Sequence, residues 1–212
     1  KMTGNDMLAT LGLRLEDPQE SSFTQTAKLD ALNIAQKSVV NLVHNAYLSE
    51  LQVIDLAETM TNNAKPFGEL TSLPIRNGIV AVKDATGGKW CTMIDPGDQK
   101  KLENTYLSGS ATNPIAYVFS ETIYTEGPGA AHNLDVWYLK APTAIAANGT
   151  ECELNVSLHE AVVDLAESQL WKMDAKVDRA GAAFDNAKAQ IDALNARYPA
   201  EAPSGIGTKG RG

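Results

Sequence analysis

Three sets of side chains have types that do chemistry: His44, His132 and His159; the carboxylates Glu160, Asp164, Glu167, Asp174 and Asp178; and the glycines of Gly205-Ile206-Gly207-Thr208-Lys209-Gly210. Histidine acts as a base or a metal ligand when a second group stands at a fixed offset, as in HExxH or a Ser-His-Asp order. The three histidines fall in three different expected elements and have no such partner pattern. His159 lies at a helix start and His44 at a helix break, where a structural role suffices.

The five carboxylates, extended at seven-residue steps by Asp185 and Asp192, are spaced to share one face of a C-terminal helix. Acid–base or metal work needs carboxylates that converge in a pocket, which one helix cannot supply. Two structural readings stand: a solvated acidic face, or an acidic surface turned towards passing DNA. The GxGxxG letters cradle a phosphate only between a strand and a helix. Neither flanks them here, so the segment reads as a tail. Cys91 and Cys152 have neither CxxC nor zinc spacing and read as free thiols in a reducing cytosol. Trp90, Trp137, Tyr138 and Trp171 would stack on bases only beside a basic groove, so core packing is the expectation. No cofactor or metal site is expected.

The net charge of −8 argues against a general grip on nucleic-acid backbone. A hydrophobic content of 43% over 212 residues is enough for a folded core. No apolar run of about 18 residues is present, and the first residues lack the pattern of a signal peptide, so no membrane association is expected.

Helical spacing predicts a first helix from Asn5 to Leu15 and a second capped by Thr24. A third apolar series, Tyr47, Leu48, Leu51, Ile54 and Ala57, continues the helical region up to Pro66. Between Pro66 and Thr150 the punctuation changes to Gly, Pro and Asn around short β-branched and aromatic runs. Ile79–Val82 and Trp90–Ile94 flank Thr86-Gly87-Gly88 as a hairpin, followed by strands at Ile115–Phe119, Thr122–Thr125 and Leu134–Lys140. Ser157-Leu158-His159-Glu160 is a capping-box pattern that opens the last helix. From Val163 through Ala166, Leu170, Met173, Val177, Ala180, Phe184, Ala187 and Ile191 to Leu194, apolar residues recur at steps of three and four, the mark of a packing seam. A kink is expected near Met173-Asp174 or Gly181.

The predicted fold class is therefore α+β: mainly a helical bundle with an inserted small antiparallel β unit and an extended C-terminal tail. Its expected parts are N-terminal helices over 1–65, a β-rich insertion over 66–150, one long C-terminal helix over 151–197 and a tail over 198–212.

Four short stretches carry a resemblance. Leu32-Asn33-Ile34-Ala35-Gln36, Pro114-Ile115-Ala116-Tyr117-Val118-Phe119, Leu134 to Pro142 and Leu158-His159-Glu160-Ala161-Val162-Val163, in this order, resemble head-to-tail adaptor (connector) proteins of tailed bacteriophages, particularly short-tailed ones. The resemblance implies a structural virion protein without enzymatic activity, assembled in the host cytoplasm and placed at the head–tail junction. It implies a homo-oligomeric ring, a dodecamer, that binds the portal protein above and tail or nozzle proteins below. During ejection DNA would pass through without specific binding. On this reading Tyr198, Pro203, Ile206, Lys209 and Arg211 form a portal-docking tail, and Glu160, Asp164, Glu167, Asp174 and Asp178 form a channel-facing acidic line. A non-catalytic ligand-binding module built on the β insertion, or a small hydrolase using His44 or His159, are the rival readings. The first needs a concave pocket with convergent polar groups, and the second needs those side chains in one cleft.

Overall fold

The protein is described from a computed structural model, which covers residues 1–98, 108–129 and 132–198. Two compact units divide the chain, one made of residues 1–50 with those from 142 onward, the other of residues 51–141.

In the first unit, α1 (Gly4–Arg14) starts one residue before the expected Asn5 and is capped by Thr3. The Thr3 hydroxyl accepts from the Asp6 amide while the Asp6 carboxylate accepts from the Thr3 amide, so two orphan donors are satisfied reciprocally. After Glu16, at φ +56°, the buried Asp17 carboxylate gathers the connecting loop. It accepts from Ser21, Ser22 and Phe23 and pairs with the buried Lys28 ammonium at 3.3 Å. The Ser21 bond leads in holding this carboxyl far below the usual range. Helix α2 (Gln25–Leu42) starts from the Thr24 cap as its sequence predicts.

The last helical region departs from expectation twice. Ser157 and Glu160 form no capping box, because Asn155 accepts from the Ser157 amide and hydroxyl and caps a short 3-10 turn instead. The single long helix is also two: α3 (His159–Met173) and α4 (Val177–Asn195), joined by three residues with Ala175 at φ +57°. The two run back along each other, since Ser168 bonds the Ala180 carbonyl and Gln190 bonds Asp164. The apolar steps of three and four therefore describe two facing arms of a hairpin. Val163, Ala166 and Leu170 on one arm and Ala180, Ala187, Ile191 and Leu194 on the other are buried. Helix α3 also packs against α1 and α2.

The second unit is a pair of four-stranded sheets. Its strands are β1 (Gln52–Thr59), β2 (Ala64–Pro66), β3 (Pro74–Asp84), β4 (Lys89–Trp90), β5 (Thr92–Met93), β6 (Ile115–Phe119), β7 (Thr122–Glu126) and β8 (Asn133–Lys140). One sheet has the order β1-β8-β3-β4 and the other β2-β7-β6-β5. Val82, Leu134, Val136 and Tyr138 of the first sheet and Ala116 and Ile123 of the second share one core with Met60, Phe67 and Leu70. At its centre the fully buried Tyr138 hydroxyl donates to Asp55 and accepts from the Ser72 amide, so neither polar group is left dry.

These sheets overturn the expected fold class. Among the described residues the protein is a mixed α/β structure, 42% helical and 26% strand in two sheets, rather than mainly a helical bundle carrying a small insertion. Nor is the β part purely antiparallel, as β5 lies parallel to β6. The largest single cause is the stretch after Asn45. The expected third helix is a short 3-10 turn (Asn45–Leu51) followed by β1, which pairs with β8 from Gln52↔Leu139 to Thr59↔Asn133. Apolar spacing there fits a helix, but pairing with β8 places Asp55 on Tyr138, and that tertiary gain wins.

Candidate interaction surface

None of the expected chemical sets converges. His44 accepts from the Ala46 amide through Nδ1 and stacks its ring on Tyr198. His132, in the strand unit, donates from Nδ1 to the Gly129 carbonyl and accepts the Thr125 hydroxyl at Nε2. His159 is buried; its Nδ1 accepts from the Met2 amide, which leaves the ring proton on Nε2 to donate to the Leu154 carbonyl. Among the described residues no group of three or more His, Cys, Asp or Glu could hold a metal ion. Both cysteines are free, and burial pushes both thiols up, Cys91 to about 11.

The buried His159 has a consequence for stability. Burial holds its pKa below the ordinary 6.5, only partly offset by the Leu154 bond. The unfolded chain therefore takes up this proton first as pH falls, so the contribution is complete above about pH 6.5 and is lost as pH drops towards the lower folded-state value. Urea midpoints should fall between pH 7.5 and pH 5.5, with a flatter profile in His159→Asn. An equally steep profile in the variant would place the titration elsewhere.

The acidic line does not exist as one face. Glu160, Asp164 and Glu167 on α3 close around a single cation, Arg14 at the end of α1, with Glu167 at 3.7 Å. Asp164 is only 4% exposed and also accepts from Gln190 at 2.7 Å. These three charges are thus spent inside the helical unit on Arg14. Asp174 caps the end of α3, 3.5 Å from Lys176, and Asp178 lies in the first turn of α4. Of the tail set, Tyr198 stacks on His44 at 4.9 Å and meets Tyr47 edge-on at 5.4 Å. The Tyr47 hydroxyl in turn donates to the Leu194 carbonyl. Pro203, Ile206, Lys209 and Arg211, with the GxGxxG glycines, lie outside the described residues.

What the helical unit offers to a partner is apolar. A groove of about 390 Å³ runs between α2 and α4 over α3, with Leu42, Leu165 and Phe184 as its floor and sides. It continues along Lys188, Ile191 and Asn195. Met173 and Val177, expected in the seam, stand instead 73% exposed on either side of the α3–α4 turn. In the strand unit Tyr138 is core, as expected, but Trp90 is 58% exposed and lies on Trp137 at 4.7 Å. Sequence reading missed the groove because Phe184 sits in register with the seam; the turn at 174–176 is what takes it off the packed face.

No helix among the described residues is long and apolar enough to cross a membrane. Residues 2–205, nearly the whole chain, match the family model described as SU10 adaptor protein. No curated protein matches the chain.

Proposed function

The chain belongs to the SU10 adaptor protein family, a family of phage adaptor proteins, and on that premise we propose that it forms the ring joining portal to tail in a short-tailed phage. The family match carries this reading, and the exposed apolar surfaces of the helical unit support it. A closed ring needs two different patches per subunit, each buried only on assembly. Twelve copies around the DNA channel is the stoichiometry we propose. Portal protein lies on one side, through residues Tyr198, Pro203, Ile206, Lys209 and Arg211, and tail or nozzle proteins lie on the other.

The acidic residues enter this proposal differently from their sequence expectation. Glu160, Asp164 and Glu167 hold α1 to α3 through Arg14, and Glu160, Asp174 and Asp178 are the exposed members of the set. A chain of net charge −8 repels rather than grips the DNA that passes it.

Each contact in a ring is modest alone and is multiplied by closure on a template. The isolated protein should therefore sediment as a monomer or a small oligomer and move to a large species only when the portal protein of the same phage is added. A stable dimer that ignores portal would contradict the proposal.

A further inference from the structure

We infer that the groove between α2 and α4 receives the α3–α4 turn of the next copy, so that Met173 and Val177 of one subunit fill the space over Leu42, Leu165 and Phe184 of its neighbour. The inference rests on the ring reading and names its two patches.

Met173 and Val177 share the highest exposure of the large apolar side chains described, both at 73%. They flank a three-residue connection, 174–176, whose backbone amides are all bonded, Asp174 to the Leu170 carbonyl, Ala175 to that of Lys172 and Lys176 to that of Trp171. Below it, Trp171 is buried under Lys176 and Arg179, and Ser168 is tied to Ala180. The turn is thus a rigid apolar knob on a supported stalk. A preorganised knob loses little conformational entropy on docking.

The groove has the complementary form. It is concave and mostly apolar, walled by helices on both sides, with Phe184 43% exposed. Its rim carries Lys172, poised over the Phe184 ring at 5.4 Å, and Lys188, against one acid, Asp192. The knob carries Asp174 and Asp178 against Lys176, which is itself 3.5 Å from Asp174, while Arg179 beside it is paired with Glu16 at 3.3 Å. The two surfaces therefore carry opposite excess charge, the arrangement that sets orientation between partners. Knob and groove are different patches on one chain, so a contact that uses one knob and one groove leaves the other of each pair free and propagates from copy to copy, as a ring requires.

Cysteine pairing tests this directly. Val177→Cys with Phe184→Cys places one thiol on the knob and one in the groove, both on exposed positions that leave the fold alone. Within one chain they lie seven residues apart on α4, about 10 Å, beyond the reach of a disulfide. Mild oxidation of the full chain with portal protein should give a ladder of covalent multimers from the double variant. Wild type, with Cys91 and Cys152, and each single variant should give none. Covalent dimers from Val177→Cys alone would mean a two-fold contact and overturn the inference. A portal-bound assembly without a ladder would also overturn it, giving the groove to a tail protein or to residues 199–212, while leaving the ring reading intact. Absence of any assembly with portal would remove the ring reading and this inference together.

Discussion

Arg14→Met should destabilise the protein by about 3 kcal/mol, the low end of the cost of breaking a buried ion pair, because Arg14 itself is partly exposed. The substitution keeps the aliphatic stem and removes only the charge. Glu160 can turn to water, but Asp164 cannot; at 4% exposure it would keep only Gln190. Glu167 beside it adds repulsion. For a chain of this size the loss corresponds to a melting temperature lower by roughly 6–12 °C. Asp164→Asn in the same chain should recover part of it, since the buried charge is then gone. A loss below about 0.5 kcal/mol, typical of exposed pairs, would mean that this cluster does not hold α1 to α3.

Deleting residues 199–212 should leave folding unchanged and cost the protein more than tenfold in affinity for portal. The stacking of Tyr198 on His44 and Tyr47, and the bonds of Asn195 to the Leu42 carbonyl and the His44 amide, all precede the cut. The helical unit therefore keeps its last anchor. The deleted segment is rich in Gly and Pro, with Ile206 its one large aliphatic residue and Lys209 and Arg211 its cations. Such a composition does not build a core of its own but suits an extended peptide laid in a groove of another protein. Each 1.4 kcal/mol lost per copy is a factor of ten, and repetition around a ring compounds it. Thermal melts would check the fold and titration against portal the affinity; unchanged affinity would show the segment to be a passenger.

The sequence was legible where one local signal decided the outcome. Thr24 caps α2 as its type predicts, and β6, β7 and β8 fall where β-branched and aromatic runs lie between turn residues. The hairpin about Thr86-Gly87-Gly88 closes through Lys83↔Trp90 and Asp84↔Lys89, but of its expected second arm, Trp90–Ile94, Thr92 and Met93 pair with β6 in the other sheet. Signals failed where they were shared by two structures. The steps of three and four from Val163 to Leu194 suit one long helix and a helical hairpin equally; a break falls near Met173-Asp174, one of the two places where a kink is expected, but Asp174-Ala175-Lys176 contains neither Gly nor Pro to mark a full reversal, and Gly181 lies inside α4. Residues 47–57 have helical spacing and become a 3-10 turn and an edge strand through pairing with β8. At 155–160 two caps compete, and Asn155 takes the place expected of Ser157, accepting from both the Ser157 amide and its hydroxyl. The candidate surface was hidden for the first of these reasons. Met173, Val177 and Phe184 look like core until the chain is seen to fold back between them.

The central claim, that this chain closes into a ring on the portal, is tested most directly by the mass of the complex it forms with portal protein. Native mass measurement across a titration should show portal alone converting to a single species bearing twelve added chains, with few partial occupancies because closure is cooperative. Portal that never gains mass, or that gains chains one at a time without a preferred number, would contradict the account.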